Sequence, residues 1–276
     1  MQPTLLGIFA HPDDEGSASG SLARYAARGA RSYVVCATRG DGTDAKISDP
    51  SLATRETLGQ VRSQELACAC QKLGIEPPLF LGYQDGAVDE VPVEVAAHAV
   101  ARLIRELTPQ VVITHGPEGG YGHPDHIAVS DFVTQGFALA SDAGVDLALP
   151  PFAPAKLYYS AMPRSFLEKV PAFRDRRADI RGQQLTFVGV PDELITTAVD
   201  VVDWLDLKLQ ALACHRTQFE FDPETKLPKL FLSSVPEEQR RVMFGAERFI
   251  RVQSNVPAPE GEEADLLAGL QAPSAP

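Results

Sequence analysis

The stretch "TLLGIFAHPDDEG", residues 4–16, joins an apolar run to a His-Pro pair and three adjacent carboxylates. A continuous apolar run of this length is typical of a strand that is buried on both faces of a sheet. The three acids behind it repel one another, so their position at the end of a buried strand requires a compensating interaction. The stretch therefore predicts a buried first strand with a functional loop at its carboxyl end.

Working outward from this stretch, strands and helices alternate along the first 160 residues. Strands are predicted at residues 4–10, 32–38, 78–83, 110–115 and 155–161, and helices at 17–29, 52–74, 93–107 and 124–142. Strict alternation predicts an α/β protein with a Rossmann-like, mainly parallel sheet and helices on both faces. Ligands of such sheets bind at the carboxyl ends of the strands, so we expect the site at this edge.

The pattern is less regular after residue 161. Residues 194–215 resemble a short strand that runs into a helix, and the Pro-rich residues 216–245 are interpreted as a cap segment. Residues 255–276 contain four acids and no Lys or Arg. We therefore predict a single domain over residues 1–254, followed by a mobile acidic, Pro-rich tail over 255–276.

Composition and charge exclude several classes of function. The chain has 25 basic and 37 acidic residues, a net charge of −12, which argues against binding to nucleic acid or to anionic membranes. No segment resembles a signal peptide or a transmembrane helix. The four cysteines, Cys36, Cys68, Cys70 and Cys214, lack the spacing of a disulfide framework and fit a reducing compartment. We expect a cytoplasmic protein with a small-molecule partner; a homo-oligomer is left open.

Two His-Pro-Asp motifs fall at the same predicted edge of the sheet. "HPDDE" (11–15) follows the first strand, and "GYGHPDH" (120–126) follows the fourth. Proline keeps each preceding histidine extended, which suits a side chain that projects from a strand end. His11 and Asp14 are three residues apart, as are the two histidines of the second motif, and side chains at this spacing converge across a helical turn. The spacing predicts one shared cluster.

The residue types of this cluster suit a divalent metal. A double positive charge removes the repulsion between adjacent carboxylates, and imidazole with carboxylate is a ligand set for zinc and also for iron. A catalytic site uses three protein ligands and leaves one position for water. One of Asp13 and Asp14 is then a ligand and the other takes a proton from the metal-bound water, while a spare histidine stabilises the oxyanion or protonates the leaving amine.

The two motifs together resemble the zinc-dependent de-N-acetylases of the LmbE-like (PIG-L) family. The resemblance extends through "VRSQELACACQKLG", "FLGYQDG" and "LKLQALACHRTQ", over roughly residues 3–220. This family includes N-acetylglucosaminyl-phosphatidylinositol deacetylases and the deacetylases and amidases of mycothiol and bacillithiol metabolism. The resemblance implies a metal-dependent hydrolase that removes an acetyl group from an N-acetylated amino sugar or sugar conjugate.

The resemblance also implies a role for individual residues. The metal, Zn²⁺ with Fe²⁺ as the alternative, would be held by His11, Asp14 and His126. Asp13 would be the general base for the metal-bound water. The remaining catalytic residues would be His123, for the oxyanion or as an acid, Asp125, which holds His123, and Tyr121, near the substrate carbonyl. The sugar would be contacted by Arg62 and Asp85.

Other interpretations remain open at this point. An amidase that acts on thiol S-conjugates would use the same metal site with a different pocket. A non-catalytic sugar- or nucleotide-binding module is disfavoured, since no GxGxxG follows the first strand. Arg62 also fits a solvated arginine on a helix. Glu15, His115 and His215 have no assigned role: Glu15 fits a helix start or a support for the site, His115 a support, and His215 a helix end.

Overall fold

The computed structural model describes residues 2–229, 235–257, 259 and 261–270. Its strands are β1 (Thr4–Phe9), β2 (Arg31–Cys36), β3 (Leu79–Phe80), β4 (Val111–His115), β5 (Lys156–Ser160), β6 (Arg177–Ile180), β7 (Gln183–Thr186), β8 (Thr197–Asp200) and β9 (Ala246–Ser254). Its helices are α1 (Ser19–Ala27), α2 (Leu58–Leu73), α3 (Val93–Leu107), α4 (Gly119–Gly122), α5 (Pro124–Ser141), α6 (Arg164–Lys169), α7 (Pro171–Arg174), α8 (Leu205–Leu212) and α9 (Glu237–Phe244).

The main sheet has the strand order β3-β2-β1-β4-β5-β9-β8. The pairs from β3 to β5 are parallel, and β9 pairs antiparallel with both β5 and β8. This arrangement confirms the predicted mainly parallel α/β sheet. The chain moves outward from β1 in one direction through β2 and β3, and in the other through β4 and β5. The neighbouring strands β1 and β4 thus form a topological switch point, where open α/β sheets bind their ligands.

The first strand is buried on both faces, as its apolar run predicts. Leu6 and Ile8 belong to the core on the side of α3 and α5, whereas Leu5 and Phe9 belong to the core on the side of α1 and α2. Successive strand residues point to opposite faces, so one continuous run serves two cores. Tight packing on both sides fixes where the loop after β1 begins.

The short strand and helix predicted within residues 194–215 are β8 and α8, but the other antiparallel strands were not predicted from the sequence. β9 fills the position between β5 and β8, and β6 with β7 forms a separate two-stranded sheet. α2 begins at Leu58 rather than at residue 52, because residues 39–57 form a long irregular loop. The described part of the predicted cap segment contains α9, and residues 230–234 lie outside the described residues. Of the helices that the structure describes, none combines the length and apolar character needed to cross a membrane.

The prediction of a mobile tail is wrong for residues 261–270. Leu266 is buried in the core beside α1 and α2, and Glu263 accepts a 2.7 Å hydrogen bond from the buried Lys156 ammonium. The backbone of Glu263 also pairs with Thr196 and Ala198. Composition suggested mobility, but a few anchoring contacts hold the segment. Residues 258, 260 and 271–276 of the predicted tail lie outside the described residues.

The cysteine spacing was interpreted as fitting a reducing compartment, but the structure contains a disulfide. Cys68 in α2 and Cys214 after α8 form a disulfide across 146 residues of sequence. α2 packs against α8, so their contact brings the two Cα atoms to 5.9 Å. Cys36 and Cys70 are free and buried. No local spacing pattern reveals a pair that forms only through helix packing.

Candidate metal centre and active site

The loops after β1 and β4 meet at the switch point and line a cavity of about 830 Å³. The β1 loop carries residues 11–15, and the β4 loop carries residues 119–126, which include the start of α5. We call these two segments the catalytic edge. The two His-Pro-Asp motifs therefore lie together, although roughly 110 residues separate them in the sequence.

The three predicted metal ligands form a compact triangle. Asp14 Oδ2 lies 3.3 Å from His11 Nδ1 and 3.3 Å from His126 Nε2, and the two imidazole nitrogens are 3.2 Å apart. A tetrahedral zinc ion with bonds of about 2.0–2.1 Å to its ligands separates the ligand atoms by roughly 3.3 Å. The donor types and their spacing thus fit one divalent cation with three protein ligands.

The other ring nitrogen of His11 faces two carboxylates. His11 Nε2 lies 2.9 Å from Asp85 Oδ1 and 3.2 Å from Asp125 Oδ2. A hydrogen bond on this side fixes the tautomer and leaves Nδ1 as the ligand atom, an arrangement common behind metal-bound histidines. Asp85 also accepts a 2.7 Å bond from the Gly42 amide. Its carboxylate therefore orients His11, a contact that the sequence did not predict.

Two further rings support His126. His115 stacks on it with 4.1 Å between ring centroids and 11° between ring planes. His123 also stacks on it, with 4.7 Å between centroids. His115 Nε2 accepts a 3.1 Å bond from the Ala10 amide, which anchors the ring to the end of β1. His115, left without a role by sequence, thus packs behind a candidate ligand. Burial holds the pKa of His126 well below its usual range, in agreement with a neutral ligand.

Asp13 lies beside this triangle with an unusual backbone. Its φ is 106° and its ψ is −21°, a conformation that residues other than glycine rarely adopt. Its carboxylate Oδ1 is 3.2 Å from the Arg62 guanidinium. Burial raises the pKa of Asp13 to about 6, although Arg62 acts in the opposite direction. A carboxyl group with a raised pKa suits proton transfer near neutral pH.

Glu15 and His215 form a buried pair behind Asp13. Glu15 Oε2 accepts a 2.8 Å bond from the Asp13 amide, and Glu15 Oε1 lies 2.7 Å from His215 Nε2. Burial opposes a charge on His215, but the Glu15 carboxylate leaves the pKa of this imidazole above its usual value. The sequence left both residues unassigned, and their separation of 200 residues gives no local signal of the contact.

His123 is held in one tautomer by the start of α5. Its Nδ1 accepts a 3.1 Å bond from the Asp125 amide, so the ring caps the helix and its proton is on Nε2. Burial lowers the pKa of His123 to about 4, with His11 as the next cause. A neutral ring with an N–H directed away from the helix is a hydrogen-bond donor. This geometry favours oxyanion stabilisation over acid catalysis.

The predicted contact between the Asp125 carboxylate and His123 is wrong. The carboxylate is fully buried and accepts bonds from the Gly86 amide at 2.8 Å and the Val88 amide at 3.2 Å. Only the backbone N–H of Asp125 reaches His123. Asp125 is the second residue of α5, and its side chain points back toward the loop after β3. In this position the carboxylate contacts the ring of His11 instead of that of His123.

Tyr121 packs edge-to-face against two of the histidine rings of the cluster. Its ring lies 5.7 Å from that of His123 and 5.5 Å from that of His126. The "GGYG" turn places it there, since Gly120 at φ 70° and Gly122 at φ 85° adopt left-handed conformations on either side. Burial raises the pKa of Tyr121, so the hydroxyl keeps its proton.

Arg62 is not the solvated arginine that the sequence left open. It is only 4% exposed, and its guanidinium donates to the carbonyl oxygens of Pro12 and of Gly40. With Asp13 as a third partner, this side chain braces the β1 loop from α2. The predicted contacts of Arg62 and Asp85 with a sugar stay predictions, because both side chains are engaged within the protein but also line the cavity.

The cavity opens toward a second group of elements, which we call the outer wall: residues 160–190 with α8 and α9. A row of aromatic rings lines it. Phe187 makes edge contacts with Tyr121, at 5.1 Å between centroids, and with Phe173, which in turn packs against Phe244 at a tilt. The hairpin of β6 and β7 is latched to the loop after β3 by Arg181, whose guanidinium contacts both oxygens of Asp89 at 2.6 and 2.9 Å. Of these residues, only Tyr121 was predicted from the sequence.

Comparisons with known proteins agree with this architecture. The family model "PIG-L: GlcNAc-PI de-N-acetylase" matches residues 6–137. The chain is 35% identical to the 1D-myo-inositol 2-acetamido-2-deoxy-alpha-D-glucopyranoside deacetylase of Acidothermus cellulolyticus, over 98% of this chain and 96% of that protein.

Solved structures share the fold at lower identity. The N,N'-diacetylchitobiose deacetylase of Pyrococcus horikoshii superposes with a TM-score of 0.63 and 21% identity, covering 90% of this chain and 83% of that one. The 4-carboxy-2-hydroxymuconate hydratase GalB of Pseudomonas putida superposes with a TM-score of 0.66 and 19% identity, covering 94% and 99%. Since a deacetylase and a hydratase share it, the fold alone does not fix the reaction.

Proposed function

The chain belongs to the PIG-L (LmbE-like) de-N-acetylase family, and from this premise we propose that it removes an acetyl group from an N-acetylated amino sugar conjugate. The observation that carries the proposal is the triangle of His11, Asp14 and His126 with Asp13 beside it. Relatives that match nearly the whole chain are named as deacetylases of an inositol glucosaminide, which supports the same substrate class here.

His11, Asp14 and His126 would hold a divalent cation, with zinc preferred and ferrous iron as the alternative. When bound, such a cation acts as a Lewis acid toward the acetamide carbonyl and lowers the pKa of water at its open position. Asp85 and Asp125 keep the His11 ring turned so that Nδ1 faces the cation site. His115 and His123 hold the His126 ring from its sides.

The chain's own residues then account for the proton transfers. Asp13 accepts a proton from the attacking water as its oxygen bonds to the acetamide carbon. His123 Nε2–H donates to the developing oxyanion, and the hydroxyl of Tyr121, whose ring packs against His123, is the second proposed donor to the same oxygen. The proton on Asp13 passes to the amide nitrogen as the C–N bond breaks. The products are acetate and the free amino sugar.

A second candidate is an amidase that acts on thiol S-conjugates. The aromatic outer wall favours it, because Phe166, Phe173 and Phe244 offer an apolar surface at a distance from the cation site. A cavity of about 830 Å³ also lies in the upper part of the range for ligand pockets. Both candidates use the same catalytic edge and differ only in what the outer wall contacts.

The experiment that tests the proposal combines metal analysis with a free-amine assay. Purified protein should contain about one equivalent of zinc or iron, and it should release amine from N-acetylglucosaminyl inositol faster than from a thiol S-conjugate amide. His126→Ala should lose both metal and activity. Full activity of a metal-stripped protein would contradict the mechanism, whereas a preference for the S-conjugate would favour the second candidate.

A cytoplasmic location stays a prediction. The cysteine pattern no longer supports it, because Cys68 and Cys214 are joined. Fractionation of cells that produce the protein would decide the location, with the oxidation state of the pair measured in each fraction.

A further inference from the structure

The backbone of Asp13 is held in a conformation that its residue type disfavours. A left-handed φ of 106° is strained for a residue other than glycine, so neighbouring contacts must maintain it. The Asp13 N–H donates to Glu15 Oε2 at 2.8 Å, and the Asp13 carbonyl accepts from the Gly16 amide at 3.1 Å. Glu15 thus closes a tight loop around Asp13, the candidate base.

Glu15 is itself held from a distant part of the chain. Its second oxygen lies 2.7 Å from Nε2 of His215, which follows α8. Glu15 is 1% exposed and His215 is 0% exposed, so water does not compete for this contact. One carboxylate therefore bridges two groups, with one oxygen on the Asp13 amide and the other on the imidazole.

A helix-start role does not account for this arrangement. The short turn of residues 14–17 has no side-chain cap, and both Glu15 oxygens are engaged by Asp13 and His215. The His215 side chain is fully buried, so it has no surface to offer a substrate. Its only polar contact among the described residues is with Glu15, through which any effect on the site must pass.

We propose that Glu15 and His215 are positioning residues for Asp13: Glu15 fixes the Asp13 backbone in its left-handed conformation, and His215 fixes the rotamer of Glu15. The inference rests on the proposed role of Asp13 as general base. Because a carboxylate displaced by about 1 Å loses much of its effect, the positioning pair should act on turnover rather than on substrate or metal binding.

The main test measures kcat, KM and metal content of the metal-loaded variants Glu15→Ala and His215→Ala. We expect kcat to fall roughly 100-fold for Glu15→Ala and about 10-fold for His215→Ala, with KM and metal content near those of the unchanged protein. Glu15→Gln should recover most of kcat, because its amide oxygen can still accept from the Asp13 amide. Should Glu15→Ala fail to fold, His215→Ala and Glu15→Gln carry the test.

Asp265→Ala is the matched control. The Asp265 carboxylate also joins a ring donor, the Tyr25 hydroxyl at 2.7 Å, to a backbone amide, that of Leu267 at 2.9 Å, but it lies away from the cavity. We expect this variant to lose stability and keep kcat. If Asp265→Ala lost as much kcat as Glu15→Ala, the effect of Glu15→Ala would reflect a general loss of stability, and the proposal would be overturned.

Two readouts separate positioning from a merely structural role. In an Asp13→Asn background, Glu15→Ala should cause little further loss of kcat, whereas independent effects would multiply. In a crystal structure of Glu15→Ala, residue 13 should leave its left-handed φ. An unchanged φ would overturn the inference whatever the activity, while a wild-type protein without deacetylase activity would overturn the proposed function alone.

Discussion

The catalytic edge and the outer wall border the same cavity but are built in different ways. At the edge, most of the polar side chains are buried, and their partners come from several parts of the fold, among them α2, the loop after β3 and the first turn of α5. The outer wall consists of short helices and a hairpin, and Arg181 latches the hairpin through a half-exposed ion pair. This difference indicates that the edge determines the reaction and the wall determines which substrate binds. Substitutions at the edge should therefore change turnover by orders of magnitude, and those in the wall should change substrate binding by small factors.

The largest effect should come from Asp13→Asn. Asparagine tolerates the left-handed backbone and keeps the shape of the side chain but cannot accept a proton, so kcat should fall about 10²- to 10⁴-fold. Metal content should not change, because Asp14 and not Asp13 belongs to the proposed ligand set. Steady-state kinetics with metal analysis check both values. Near-normal turnover would remove Asp13 from the mechanism.

His123→Ala should rank second. Removing the Nε2–H donor should lower kcat about 10²- to 10³-fold, the usual loss for one oxyanion-hole donor. His123→Gln, whose amide N–H can reach a similar position, should recover part of the loss. A change in KM alone, with kcat preserved, would show instead that His123 only binds substrate.

Reduction of the Cys68–Cys214 disulfide tests whether turnover at the edge depends on a covalent link to the wall. This bond links α2, which carries Arg62, to the end of α8 in the wall. Its loss should lower the free energy of unfolding by about 2–4 kcal/mol, measured by denaturant titration. Turnover below the transition should persist. A Cys68→Ser, Cys214→Ser variant provides the control, since a reducing agent should not shift its midpoint further.

Arg181→Ala should have the smallest effect. The ion pair with Asp89 is exposed, and such pairs contribute about 0.2–1 kcal/mol, so KM should rise by no more than roughly fivefold with kcat unchanged. Arg174→Ala, which removes a similar pair with the adjacent Asp175 away from the cavity, should leave KM as it is. A large fall in kcat for Arg181→Ala would break the distinction between edge and wall.

The parallel half of the fold could be predicted because its signals are local. The run before His11 is apolar on both faces, and α2 ends just before Gly74, whose left-handed φ of 68° caps the helix. β9 could not be predicted, because its place between β5 and β8 depends on partners far away in the sequence.

The same limit divides the site. The residues that the motifs contain, such as His11 and His126, could be named from spacing and resemblance. The groups that orient them could not, because Asp85 reaches His11 from another loop and His215 reaches Glu15 from across the fold. The sequence predicted that Asp125 holds His123, but the helix geometry brings only its backbone N–H to that ring and directs its carboxylate to His11.

The order of elements along the chain has a consequence for engineering. Both segments of the catalytic edge end by residue 126, whereas the hairpin and aromatic helices of the outer wall begin after β5 at residue 160. Residues 161–196 could therefore be transplanted between relatives as a cassette, leaving the switch point and His215 in place. Such chimaeras would exchange substrate preference while inheriting an intact hydrolytic centre.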